Sequence, residues 1–123
     1  YSSAASDVYK RQLQGVSIDI FYFHLSEYGN KMYCYEFVTD PDRLPREFMD
    51  EVGGFWTMKD TFPYQGFSNH SFLGLTVKIP SNYDEHLKAH YGNYMEPDSD
   101  WDSFFKAQNT ALMKDKIGTL IWK

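Results

Sequence analysis

An aspartate stands in the middle of the most apolar stretch of the chain, VSIDIFYFH at residues 16–24. An ionised carboxylate among aliphatic and aromatic neighbours is costly unless something compensates its charge. Two readings of Asp19 fit. It ends in solvent or pairs with a Lys or Arg, as carboxylates ordinarily do. Alternatively it is a ligand for a divalent metal, since Mg²⁺ takes hard oxygen ligands, usually one or two carboxylates together with substrate phosphates. The residue pattern leaves both open.

Four other groups carry chemically able side chains. The carboxylates of DSDWD (98–102) alternate as at the opening of a calcium loop. That loop needs Gly at its sixth position and Glu at its twelfth, where this chain has Ser103 and Asn109, so a solvated acidic turn is expected. His86 and His90 have the i, i+4 spacing of helical zinc ligands. The intervening HLKAH lacks the Glu of H-E-x-x-H, so they are expected to flank a packing stripe. Cys34 is the single cysteine. It can form no internal disulfide and no Cys-rich zinc site, and within a strand of aromatics it reads as buried filler rather than a nucleophile. Lys78 and Lys88 read as surface charges, with phosphate contact as the alternative. No G-x-S-x-G, P-loop or G-x-G-x-x-G occurs, so serine hydrolase, P-loop and Rossmann chemistry have no support.

The elements that must position these residues follow from local pattern. Residues 16–24 are β-branched and aromatic almost without interruption, which predicts a strand buried on both faces. Alternation puts Ile18, Ile20 and Tyr22 on one face and Ser17, Asp19, Phe21 and Phe23 on the other. The Gly-Asn turn signal in LSEYGN (25–30) and the alternation of KMYCYEFV (31–38) make these two runs a hairpin. After the proline turns at Asp40-Pro41-Asp42 and Leu44-Pro45, a short helix over 46–52 ends at Gly53-Gly54. FWTMKDTF (55–62) and FLGLTVKI (72–79) read as strands joined by the loop FPYQGFSNH. Ser81 caps a helix over 82–90, with Asp84 and Glu85 suiting its dipole. Tyr83, Leu87 and Tyr91 form the stripe that seats it on the sheet, and Gly92 stops it. An amphipathic terminal helix is expected over 104–116. The expected fold class is α+β: one mixed, mainly antiparallel sheet from 17–24, 31–38, 55–62 and 72–79, with the 82–91 helix packed across it.

With 123 residues the chain holds one domain or part of one. Its 42% hydrophobic and 24% charged content is that of a globular protein, so collagen-like, coiled-coil and charge-driven disordered classes are disfavoured. Aromatics reach 19%, enough to build a dense core from a short sequence. The net charge of −5 lacks the cationic footprint of a nucleic-acid binder. No apolar run is long enough to span a membrane and no signal pattern opens the sequence, so no membrane segment is expected. Residues 1–12, YSSAASDVYKRQ, read as translated sequencing-adapter sequence. Residues 13–123 are accordingly expected to be the C-terminal part of a longer domain.

Two stretches together resemble a known family: IDIFYF (18–23), and VKIPSNYDEHLKAHYGNYMEP (77–97) after a strand. They are similar to the LicD family of nucleotidyltransferase-fold phosphotransferases, and more to its fukutin-like branch than to the bacterial choline-phosphate enzymes. That family pairs a strand of the form h-D-h-F/W-x-F with a later strand ending in h-x-h-P, a Tyr-x-x-x-Leu helix and a Tyr-Gly. Asp19, Pro80, Tyr83, Leu87, Tyr91 and Gly92 occupy those positions, and the likeness covers about residues 16–105.

The resemblance implies a partial nucleotidyltransferase fold and a role in transferring a phospho-alcohol, of the ribitol phosphate or phosphocholine type. The donor would be CDP-activated and the acceptor a glycan hydroxyl. It implies Mg²⁺ or Mn²⁺ as cofactor, with Asp19 matching the family's later metal-ligating carboxylate and hence the one catalytic residue assigned. The tyrosines and Pro80 match structural positions. The family's earlier D-x-D does not occur before Asp19 in this sequence. The parent protein is thus expected to be the enzyme and this chain alone to be inactive with CDP-ribitol or CDP-choline. The alternative is a non-catalytic module of the same fold that engages glycan through its aromatic surface. Fukutin-like proteins are membrane-tethered in the Golgi lumen, and the bacterial relatives are cytoplasmic.

Overall fold

The computed structural model describes residues 8–37 and 55–118. Eight strands and two helices follow in the order β1 (Val8–Leu13), β2 (Val16–Phe21), β3 (His24–Leu25), β4 (Lys31–Phe37), β5 (Phe55–Pro63), β6 (Phe67–Phe72), β7 (Leu75–Pro80), α1 (Tyr83–Tyr91), α2 (Ser103–Lys106) and β8 (Thr110–Gly118). The class is α+β, with mostly antiparallel sheets and, among the described residues, α1 as the one helix longer than a single turn. The expected single sheet is instead three: β1-β2, β3-β4-β5-β8 and β6-β7. The helix expected over 46–52 lies outside the described residues.

The two small sheets are hairpins of one design. Gln14 and Gly15 join β1 to β2 with φ of 50° and 81°, and Leu73 and Gly74 join β6 to β7 with φ of 48° and 77°. Two consecutive positive φ values make the type I′ turn, whose twist matches that of the strands it connects. Register follows from the turns: Leu13 pairs with Val16 and Phe72 with Leu75. These turns overturn two expectations. Residues 16–21 pair with 8–13, and not with 31–38 as the expected hairpin required. FSNHSF (67–72), expected mainly as loop, is the first arm of a hairpin that splits FLGLTVKI at Leu73-Gly74.

The chain divides into two compact units. Among the described residues one comprises 8–24, 34–37, 55–60 and 111–118, the other 25–33 and 61–110. In the first unit, Cys34, Tyr35, Thr57 and Asp60 are buried, all on the adjacent strands β4 and β5. Residues 16–24, expected to be buried on both faces, are exposed throughout; Ile18 keeps 45% of its surface and Ile20 43%. The interior strands are β4 and β5, each with neighbours on both sides, and β4 buries Cys34 towards one face and Tyr35 towards the other. An apolar run marks a strand, but sheet position decides which strand is covered.

In the second unit the expected Gly-Asn turn closes β3 onto β4. Ser26 N–H donates to the Lys31 carbonyl and Gly29, at φ 67°, donates to Ser26. Pro80 ends β7, and α1 begins after Asn82, not Ser81; the Asn82 amide donates to Glu85 Oε2 at 3.1 Å. Gly92 ends the helix as expected, its N–H on the Lys88 carbonyl at φ 67°. The face on which α1 packs is not the expected one. Tyr83 and Tyr91 stay 51% and 45% exposed, while His86 and His90 lie on the buried ring of Phe62. Residues 104–116 hold no long helix: α2 is one turn over Ser103–Lys106, and the chain then enters β8.

Candidate functional site

Asp19 sits near the centre of β2, exposed, directly across the ladder from Lys10. The apolar side chains around it, Ile18, Ile20 and Phe21, are likewise exposed. Asp19 is not part of the one group of converging metal-ligand atoms found among the described residues.

That group is Cys34, Glu36 and Asp60, whose Sγ and carboxylate oxygens lie within 4.8 Å of one another. Cys34 and Glu36 are two apart on β4 and so share a face, and Asp60 reaches the same place from the neighbouring β5. The opposite face of the same strands carries Tyr35 with Lys59 Nζ 5.9 Å from its ring centre. Cys34 is buried, as its aromatic context implies, but in company the sequence did not reveal. The signal was the i, i+2 spacing of a thiol and a carboxylate in one strand; the third member depends on strand pairing.

In the second unit the C-terminal end of α1 and the loop after it enclose a groove of about 680 Å³. Leu87, Tyr91 and Trp101 supply its apolar wall, the last two with ring centres 5.2 Å apart, and Asn93, Glu96 and Asp98 supply polar groups. Helix α1 is fixed beneath it by stacking. Phe62 lies 4.1 Å from the His86 ring at 11° and 5.8 Å from the His90 ring at 29°. His90 Nδ1 carries the proton that it donates to Asn109 Oδ1 at 2.8 Å. Burial, and secondarily the neighbouring His90, hold His86 below the ordinary imidazole pKa. The two histidines thus serve packing, and the spacing that suggested zinc is the spacing that lays both rings on one phenyl face.

The remaining candidates are occupied by structure. Asp98 accepts from Lys106 Nζ at 2.9 Å and from the Asp100 N–H, and these bonds hold its carboxyl below the usual range. Asp102 Oδ1 accepts from the Phe105 N–H at 3.3 Å, a cap on α2, so the acidic turn is a turn and not a calcium loop. Lys88 bonds Asp84 at 2.7 Å, and Tyr94 donates to the same carboxylate at 2.8 Å. Those two bonds lower the Asp84 pKa and raise those of Lys88 and Tyr94. Lys78 is exposed on β7. No helix of the described residues is long and apolar enough to cross a membrane. Compared with family models, with curated proteins and with solved structures, the chain matches none.

Proposed function

We propose that the chain is part of a metal-dependent transferase of the LicD and fukutin-like kind, moving a ribitol phosphate or phosphocholine type of group from a CDP-activated donor to a glycan hydroxyl. The observation that carries the reading is the likeness of residues 18–23 and 77–97 to that family, which puts a hard oxygen ligand, Asp19, at an exposed position of β2. The order of Pro80 ending a strand, Tyr83 and Leu87 on a helix and Gly92 closing it supports the same reading. Mg²⁺ or Mn²⁺ shared with the donor diphosphate would neutralise its charge and polarise the bond under attack. In the transfer the acceptor oxygen forms the new P–O bond, the bond to CMP breaks, and the hydroxyl proton leaves to solvent. Asp19 contributes one ligand, orienting the ion and not the proton.

Manganese broadening of the chain's amide NMR signals in the presence of CDP-ribitol tests the reading. Signals of β2 around Asp19 are expected to broaden, and Asp19→Asn to abolish the effect. Broadening absent from β2, or unchanged in Asp19→Asn, overturns the proposal.

The groove beside α1 favours a second reading, a glycan-binding module of the same fold. Aromatic faces with nearby amide and carboxylate groups suit the apolar and hydroxyl faces of a sugar ring. Oligosaccharide binding lost in Trp101→Ala, with no manganese effect at Asp19, would select the module over the enzyme.

A further inference from the structure

We infer that Cys34, Glu36 and Asp60 form a binding site for a borderline-soft divalent cation of the Zn²⁺ class, distinct from Asp19 and independent of the transferase reading. Three ligands of two chemical kinds converge from two paired strands, two from alternate positions of β4 and one from β5. Tetrahedral zinc, with Zn–S near 2.3 Å and Zn–O near 2.1 Å, asks for S···O of roughly 3.6 Å and O···O of roughly 3.4 Å. The donor atoms already lie within 4.8 Å of one another, at most about 1.4 Å beyond those spacings.

The donor chemistry selects the ion. A thiolate suits Zn²⁺ and Co²⁺ and is a poor ligand for Mg²⁺, which demands an octahedron of oxygens. Burial adds to this. Cys34 is 1% exposed and Asp60 6% exposed, so an ion held between them is shielded from water. Glu36 is only half-buried and provides the side from which an ion enters. On binding, the Cys34 thiol proton is released to buffer as the metal–sulfur bond forms. Three protein ligands leave a fourth position for water, the arrangement of an open zinc site.

The test uses the full chain, reduced and metal-free, titrated with Zn²⁺ against a competing chelator and with Co²⁺ as spectroscopic probe. Expected are one equivalent bound, a thiolate-to-cobalt charge-transfer absorption, and no competition from Mg²⁺. Loss of an outer-shell partner costs a metal site about 10–100-fold in affinity. Cys34→Ser, which loses a direct ligand, is therefore expected to weaken Zn²⁺ binding by more than about 100-fold and to abolish the band. Glu36→Gln, at a half-buried position that tolerates change, is expected to weaken it at least about 10-fold with an unaltered circular dichroism spectrum. That variant keeps the test decisive if Cys34→Ser fails to fold. No stoichiometric binding overturns the proposal. So does affinity unmoved by Glu36→Gln and Asp60→Asn, which would leave a thiolate acting alone. Binding that survives Cys34→Ser and is lost in His86→Asn overturns it too, by moving the ion to α1.

Discussion

Removing the ring of Phe62 tests how α1 is held. Phe62 is 8% exposed, and Phe→Ala at a buried site costs about 3–5 kcal/mol from lost burial and the cavity left behind. The partners of this ring are only partly buried histidines, so the space can partly refill, and Phe62→Ala is expected near the lower end, about 3 kcal/mol. Set against a total of about 5–15 kcal/mol for a typical domain, that is a large fraction. Guanidinium unfolding followed by circular dichroism measures it. The ring stacking itself is isolated by a double-mutant cycle of Phe62→Leu with His86→Ala, expected to show coupling of about 0.5–1.5 kcal/mol. As a contrast, Tyr83→Ala on the neighbouring, exposed stripe is expected to cost within about 0.5 kcal/mol, as an exposed substitution does. Additive behaviour of Phe62 and His86, or a Tyr83→Ala cost exceeding that of Phe62→Ala, would refute seating through the histidines.

Three further outcomes follow from particular residues. The folded-state pKa of His86 is depressed by burial and by His90, so the unfolded chain binds its proton at higher pH than the folded one. Its contribution is fully present above the ordinary imidazole value of about 6.5 and is lost as pH falls through the folded value. Stability of the wild type is therefore expected to drop between pH 7.5 and pH 5 more steeply than that of His86→Gln in urea unfolding; equal slopes would sink the assignment. Gly74→Ala meets no atom within 4 Å, so its cost is purely that of a left-handed backbone at φ 77°, about 1–2 kcal/mol by thermal unfolding. Leu73→Asn should do the reverse, stabilising the β6–β7 turn by up to about 1 kcal/mol, because Asn tolerates positive φ far better than Leu.

Local features were legible in the sequence because their causes are local. The Gly29-Asn30 turn, Pro80 as the end of a strand and the stop of α1 at Gly92 all rest on backbone preferences of one or two residues and stand where expected, while the start of α1 is one residue later than Ser81 would set it. The type I′ turns at Gln14-Gly15 and Leu73-Gly74 were missed because the first residue of each lacks the Asn or Asp that announces such a turn. Which face of α1 packs was misread for a different reason: the apolar stripe Tyr83, Leu87, Tyr91 outscores His86 and His90 on any hydrophobic count. His86 lies flat on the Phe62 ring, and only the position of Phe62 on β5 chooses between the two stripes. Burial of β4 rather than β2 is likewise a property of neighbours, since both runs are rich in aromatics. Composition, the single buried thiol and the lone carboxylate at Asp19 were therefore readable from residue order. The meeting of Cys34 and Glu36 with Asp60 was not, because a ligand set drawn from two strands exists only once hydrogen bonding has set their pairing.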